Sequence, residues 1–123
     1  PELLLLDEPA AGLDLGGRED LVTRLSGIAA DRWAPAQVLV THHVEEIPAG
    51  FTHVLMLREG RAVASGPIEE VLNGRTLTQA FGTRLRSGRV RGRYWARSVP
   101  SDTVARGRRG REVAEPTPPA SGA

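Results

Sequence analysis

Residues 3–9 read LLLLDEP, so that four consecutive leucines run directly into two adjacent carboxylates and a proline. Because the apolar residues do not alternate with polar ones, both faces of this segment are expected to be buried, as in a central strand of a parallel sheet. Pro9 ends the strand, since it has no backbone N–H to donate. Ligands of open α/β sheets bind beyond the carboxyl ends of the strands, which is where Asp7 and Glu8 are predicted to lie.

A strand can also end in acidic residues simply because the chain leaves the core, and this stretch alone does not separate the two interpretations. Two later segments favour a functional role. The loop AAGLD follows at residues 10–14, and a second apolar strand, predicted over residues 37–41, ends in Thr41 and His42. An acidic strand end, a glycine-containing loop with an aspartate, and a strand that ends in Thr-His therefore occur in this order.

The segment between the two strands has helical periodicity. Apolar residues recur at Leu21, Leu25 and Ile28, which is a spacing of i, i+4, i+7, and Asp14 is a suitable N-cap for the helix. A strand, a helix and a second strand within about 40 residues form a βαβ unit with parallel strands. Downstream, the sequence predicts a β-hairpin around Glu59-Gly60 and then two short helices, over residues 68–72 and 75–81.

Composition restricts the class of protein. With 123 residues the chain has room for one small domain, and without cysteine it has neither a disulfide framework nor a thiolate metal site. No apolar run approaches the roughly 18 residues that a membrane span requires. Residues 1–82 carry 6 arginines and 12 acidic residues, a net charge of −6, whereas residues 83–123 carry 10 arginines and 3 acidic residues, a net charge of +7.

The motifs taken together resemble the C-terminal half of an ABC-type ATPase over residues 1–82: the Walker B strand, the D-loop and the switch histidine. The resemblance implies an α/β fold, the C-terminal part of a P-loop NTPase domain, with a parallel βαβ core followed by a β-hairpin and short helices. The hairpin over residues 54–67 and the helix after it are similar to the end of a transporter ATPase domain. We therefore expect an ATP-binding, ATP-hydrolysing subunit of an ABC transporter.

The same resemblance implies roles for single residues. Asp7 corresponds to the Walker B acid, which holds Mg²⁺ through water, and Glu8 to the residue that orients or deprotonates the attacking water. His42 corresponds to the switch histidine, which binds the γ-phosphate of ATP. Asp14 corresponds to the D-loop aspartate at the interface of an ATPase dimer. Alternative interpretations remain: Asp14 only caps a helix, and His42 is an ordinary loop residue at a strand end.

The chain also departs from the family. It has no lysine and no G-x-x-x-x-G-K-[ST] string, so the P-loop is absent, as are the Q-loop and the signature motif. The resemblance therefore implies a C-terminal piece of a larger domain, and we expect the isolated chain neither to bind ATP tightly nor to hydrolyse it. The strands at residues 3–6 and 38–40 should then lack neighbouring strands, so the isolated piece should expose a sheet edge and apolar surface.

Partners, location and alternatives follow from the same resemblance. The expected partners are a second ABC ATPase domain and transmembrane permease subunits, at the inner face of the cell membrane on its cytoplasmic side. One alternative is a non-catalytic interaction module, or a truncated relic, that docks to a partner ATPase. Another is a nucleic-acid-associated ABC-class protein with a basic tail. Residues 83–99 are interpreted as a small β-hairpin extension, and residues 100–123 as a disordered tail rich in Arg, Pro and Gly.

Overall fold

The computed structural model describes residues 2–100. Within these residues, strands and helices follow one another in the order that the sequence predicts, and the α/β fold is confirmed. The elements are β1 (Leu3–Asp7), α1 (Leu15–Ala30), β2 (Ala36–Val40), a 3₁₀ turn (Val44–Glu46), β3 (His53–Arg58), β4 (Arg61–Pro67), α2 (Ile68–Val71), α3 (Gly74–Phe81), β5 (Leu85–Val90) and β6 (Arg93–Ser98). The predicted tail over residues 100–123 lies outside the described residues except for Pro100.

The chain divides into two compact units, which are described separately. Among the described residues, the first unit comprises residues 2–52 and 91–94, and the second comprises residues 53–90 and 95–100. No helix within residues 2–100 is both long enough and apolar enough to cross a membrane.

In the first unit, β1 and β2 pair in parallel, in a register that runs from Leu3 opposite Ala36 to Asp7 opposite Val40. Helix α1 connects them and begins at the predicted N-cap, since the Asp14 carboxylate accepts the Gly17 N–H at 2.8 Å. The inner face of α1 is apolar and buried at Val22 and Leu25. The Gln37 side chain ties β2 to this helix by donating to the Leu25 carbonyl at 3.2 Å.

The prediction that both faces of β1 are buried is wrong for the described part of the chain. Leu3 and Leu5 are 55% and 65% exposed, whereas Leu4 and Leu6 on the opposite face are half-buried. The physical reason is that β2 is the strand hydrogen-bonded to β1 within residues 2–100 and no layer covers the outer face. The exposed apolar surface that the sequence analysis expects for this piece is thereby confirmed.

In the second unit, β3 and β4 form an antiparallel hairpin whose turn is the predicted Glu59-Gly60. Both turn residues have positive φ, 52° and 76°, as a two-residue hairpin turn with the right twist requires. Helix α3 begins in a capping box between Asn73 and Thr76 and ends at Gly82, whose φ of 74° is left-handed. The buried apolar residues of this unit include Met56, Ile68, Leu72 and Leu77.

Strands β5 and β6 form a two-stranded sheet that turns at Arg91-Gly92, where φ is 51° and 81°. Both strands lie within residues 83–99, the span that the sequence analysis interprets as a small β-hairpin extension, and the turn does not include Gly88. Gly88 belongs instead to β5, where a Cβ would lie 2.5 Å from the indole of Trp95. Glycine is required there because the indole covers the backbone.

Candidate functional site

The carboxyl ends of β1 and β2 meet at one edge of the parallel pair. The register brings Asp7 opposite Val40, and the backbone N–H of Glu8 then donates to the Val40 carbonyl at 2.8 Å. The polar residues that follow the two strands, Glu8 and His42, are therefore neighbours, as expected for parallel strands that end together. The sequence predicts a site at this edge, and the pairing of the strands brings Glu8 and His42 together there.

Glu8 has a left-handed backbone, with φ of 49°. This conformation is uncommon for a residue with a Cβ and costs of order 1 kcal/mol or more, and such residues are frequent at functional sites. This left-handed conformation ends the alternation of side chains between the two faces of β1. The chain turns immediately afterwards, since the Ala11 N–H donates to the Glu8 carbonyl at 3.1 Å. Two adjacent carboxylates of a regular strand would point to opposite faces, whereas this turn re-aims that of Glu8.

The Glu8 carboxylate is hydrogen-bonded to the imidazole of His42, through Oε1 and Nδ1. An ionised carboxylate only accepts, so Nδ1 is the donor, and Nε2 is the ring nitrogen that remains for another group. The His42 side chain is 78% exposed, and that of Glu8 is mostly covered. The imidazole of His42 is therefore exposed to solvent, whereas the carboxylate of Glu8 is largely shielded from it.

Asp7 is exposed at the end of β1. Within residues 2–100 no three His, Asp or Glu side chains are grouped so that they could hold a metal ion by themselves. Mg²⁺ is commonly held by one or two carboxylates together with phosphate oxygens and water, so a single exposed carboxylate has the donor chemistry for one position of such a site. The remaining ligands would have to come from substrate and solvent.

Asp14 is linked to its own helix. The structure pairs its Oδ1 atom with the Gly17 N–H, and the loop before it is a series of tight turns, including a hydrogen bond of 3.0 Å from the Leu13 N–H to the Ala10 carbonyl. The structure thus gives Asp14 the capping interaction.

Sequence reasoning assigned no role to two residues near His42, namely Thr41, which it named only as part of the Thr-His strand end, and Glu46. The Thr41 hydroxyl donates to Oε1 of Glu46 at 2.6 Å and accepts the His43 N–H at 3.1 Å. Glu46 is only 8% exposed, the one buried acidic residue of the described chain. A threonine two residues before a backbone donor is a known turn signal, so Thr41 could have been found, whereas nothing in the sequence marks Glu46.

Arg93, which the sequence analysis counts only among the arginines of residues 83–123, binds two other residues of the first unit. Its guanidinium binds both carboxylate oxygens of Glu19, at 3.0 and 2.9 Å, and donates to the Glu45 carbonyl. The hydrogen bond from Arg93 lowers the pKa of Glu19 below its ordinary value. Arg93 thereby joins helix α1 to the segment that follows His42.

The chain is similar to known ATP-binding proteins of ABC transporters. It is 40% identical over 95 residues to the ABC transporter ATP-binding protein YmeB of Lactococcus lactis, a match that covers 77% of this chain and 37% of that protein. It is 45% identical over 85 residues to YlmA of Bacillus subtilis, covering 69% and 32%, and 44% identical over 84 residues to the cobalt import ATP-binding protein CbiO of Rhodobacter capsulatus, covering 68% and 29%. The chain thus spans about a third of the length of these relatives.

No family model matches the chain. Comparison with solved structures supports the fold. An inward-facing ABC transporter described as of metal-chelate type superposes with a TM-score of 0.64 at 23% identity, over 83% of this chain and 41% of that one. This similarity supports the α/β fold, and the sequence relatives confirm the family predicted from the motifs. The chain belongs to the ATP-binding proteins of ABC transporters.

Proposed function

We propose that this chain supplies the metal- and water-handling half of the nucleotide site in an ATP-hydrolysing subunit of an ABC transporter. The phosphate-binding half comes from residues outside these 123, because the chain has no lysine and hence no P-loop. The observation that carries the proposal is the left-handed Glu8 bonded to His42 at the ends of two parallel strands, in a chain of this family.

Glu8 acts on the attacking water. One of its oxygens accepts the hydrogen bond from His42, and the carboxylate keeps accepting capacity for the water that attacks the γ-phosphate. It orients this water and takes its proton as the water oxygen bonds to the γ-phosphorus, while the bond from that phosphorus to the bridging oxygen breaks and ADP leaves. The left-handed backbone supports this role, since it re-aims the carboxylate of Glu8 away from the regular alternation of the strand.

His42 binds the γ-phosphate through Nε2. A phosphate oxygen only accepts hydrogen bonds, so Nε2 must carry a proton to contact it. A ring that donates from Nδ1 to Glu8 and from Nε2 to phosphate is an imidazolium, whose charge suits two anionic neighbours. His42 thus connects the group that acts on water with the group that is transferred.

Asp7 would hold, through a water molecule, the Mg²⁺ that accompanies ATP, and the metal would supply positive charge to the phosphate oxygens. Asp7 suits the role because its carboxylate is exposed at the strand end and directly precedes Glu8. Asp14 takes the D-loop position and, besides capping α1, faces a second ATPase domain. The assembled protein works with permease subunits at the cytoplasmic face of the membrane.

The test is ATP turnover by a hybrid in which the matched 95 residues of this chain replace their counterpart in YmeB. We expect Mg²⁺-dependent hydrolysis that Glu8→Gln lowers by at least about 100-fold, the usual contribution of a general base. Glu2→Gln, which lies just before the opposite end of β1, is the matched control and should leave turnover unchanged.

Three outcomes would contradict the proposal in different ways. Turnover that survives Glu8→Gln would remove Glu8 from the chemistry. Turnover by the 123-residue chain alone, sensitive to Glu8→Gln, would show that no external phosphate-binding half is needed. A hybrid that folds and binds ATP without hydrolysing it would support the non-catalytic interaction module instead.

A further inference from the structure

The orientation of the His42 ring is not fixed by packing against other side chains. Its side chain is 78% exposed, so its direction depends on the backbone around it and on the bond to Glu8. Since a mobile exposed side chain pays rotamer entropy to form one hydrogen bond, a fixed backbone lowers the cost of that contact. The structure of residues 41–46 therefore decides how often the contact forms.

This segment is closed on itself by side-chain and backbone hydrogen bonds. The Thr41 hydroxyl accepts the His43 N–H at 3.1 Å and donates to Glu46 at 2.6 Å. The Glu46 N–H in turn donates to the His43 carbonyl at 3.0 Å. His42 lies inside the loop that these bonds close, between Thr41 and His43.

We propose that Thr41 and Glu46 are positioning residues for His42, so that a partly buried threonine–carboxylate bond holds the histidine toward Glu8. The inference rests on the proposed function for the reason that His42 is oriented toward Glu8, whereas the contact between the two side chains is seen in the structure. Neither residue touches substrate; both act through the backbone of residues 41–43.

Burial makes the bond hard to replace. Glu46 is 8% exposed, and a buried carboxylate is tolerated only when it is hydrogen-bonded. The Thr41 hydroxyl donates the required hydrogen bond to Glu46 at 2.6 Å and also accepts the His43 N–H. The same oxygen therefore takes part in both hydrogen bonds. Removing it deprives the buried Glu46 carboxylate of this donor and leaves the exposed His43 N–H to water, so the loop loses both of the bonds that the Thr41 hydroxyl makes.

The test follows the ring of His42 by ¹⁵N NMR in the full 123-residue chain, with Glu8→Ala as the reference for a ring without its carboxylate. We expect Thr41→Val and Glu46→Asp to shift the His42 ring signals toward that reference, and Thr41→Ser to restore them. Exchange of the His43 amide should accelerate about tenfold in Thr41→Val, the factor expected for one net hydrogen bond. Thr23→Val removes a hydroxyl bonded to its own helix at 2.9 Å and should leave the His42 ring unchanged.

The design separates positioning from general stability. Glu46→Asp is the milder variant, which keeps the charge and shortens the side chain, so it decides the question if Thr41→Val does not fold. Ring signals that stay native in both Glu46→Asp and Thr41→Val would overturn the inference, as would a shift of equal size in Thr23→Val. The measurement needs no nucleotide, so failure of the hybrid to hydrolyse ATP bears on the proposed function alone.

Discussion

The imidazole of His42 is hydrogen-bonded to the carboxylate of Glu8, although 34 residues separate them along the chain. The contact exists because β1 and β2 are parallel and in register at their carboxyl ends, and because Glu8 leaves β1 in a left-handed conformation. Strand pairing supplies the proximity, and the backbone of one residue supplies the direction.

The first prediction concerns the strain at Glu8. Glycine adopts a φ of 49° without the penalty of a Cβ, whereas alanine keeps that penalty and lacks the carboxylate. In the YmeB hybrid, Glu8→Gly should therefore be more stable than Glu8→Ala by about 1 kcal/mol, measured by urea unfolding. Both variants should be inactive. Equal stability of the two variants would show that the left-handed conformation is not strained here.

The second prediction separates the two roles of Asp14. Asparagine is as good an N-cap as aspartate, so Asp14→Asn should preserve the stability of α1, whereas Asp14→Ala should cost about 1 kcal/mol. If the charge also serves a dimer interface, Asp14→Asn should lower ATP turnover of the hybrid without lowering its unfolding midpoint. Full turnover in Asp14→Asn would leave Asp14 with the capping role alone.

The third prediction concerns pH. Because Arg93 lowers the pKa of Glu19 in the folded chain, the pair stabilises the fold above the ordinary value of 4.5, and this stabilisation is lost as pH falls through the lowered pKa. Arg93→Gln should raise the pKa of Glu19 back toward 4.5, as measured by NMR titration of its carboxyl carbon. Arg89→Gln, which removes a similar pair with Glu69, is the control. An unchanged titration of Glu19 in Arg93→Gln would contradict the ion pair.

The fourth prediction concerns the uncovered face of β1. Leu5 is 65% exposed, so the isolated chain should bind a dye such as ANS, and Leu5→Thr should reduce the fluorescence without destabilising the chain. Leu4→Thr changes the same residue type on the opposite, half-buried face and should destabilise the first unit instead. The reverse pattern in the two variants would mean that the faces are assigned the wrong way round.

Features set by neighbouring residues were predictable from the sequence. The cap at Asp14, the turn at Glu59-Gly60 and the left-handed end of α3 at Gly82 each depend on a few adjacent positions. The motifs were likewise sufficient to predict the family, since residue type and spacing survive without coordinates. The burial of β1 was not predictable, because four leucines indicate what a strand would bury and not which layers are present to cover it.

The sequence by itself determined the order of strands and helices, the family, and which residues are candidates for chemistry, because these depend on local propensity and spacing. Only the tertiary structure decided which candidates meet. Glu8 reaches His42 through a strand register and a backbone conformation, Thr41 finds Glu46 across a turn, and Arg93 binds Glu19 from 74 residues away. The contacts of Glu8 with His42 and of Arg93 with Glu19 depend on the path of the whole chain, which no short window of sequence contains, whereas that of Thr41 with Glu46 depends on the turn between them.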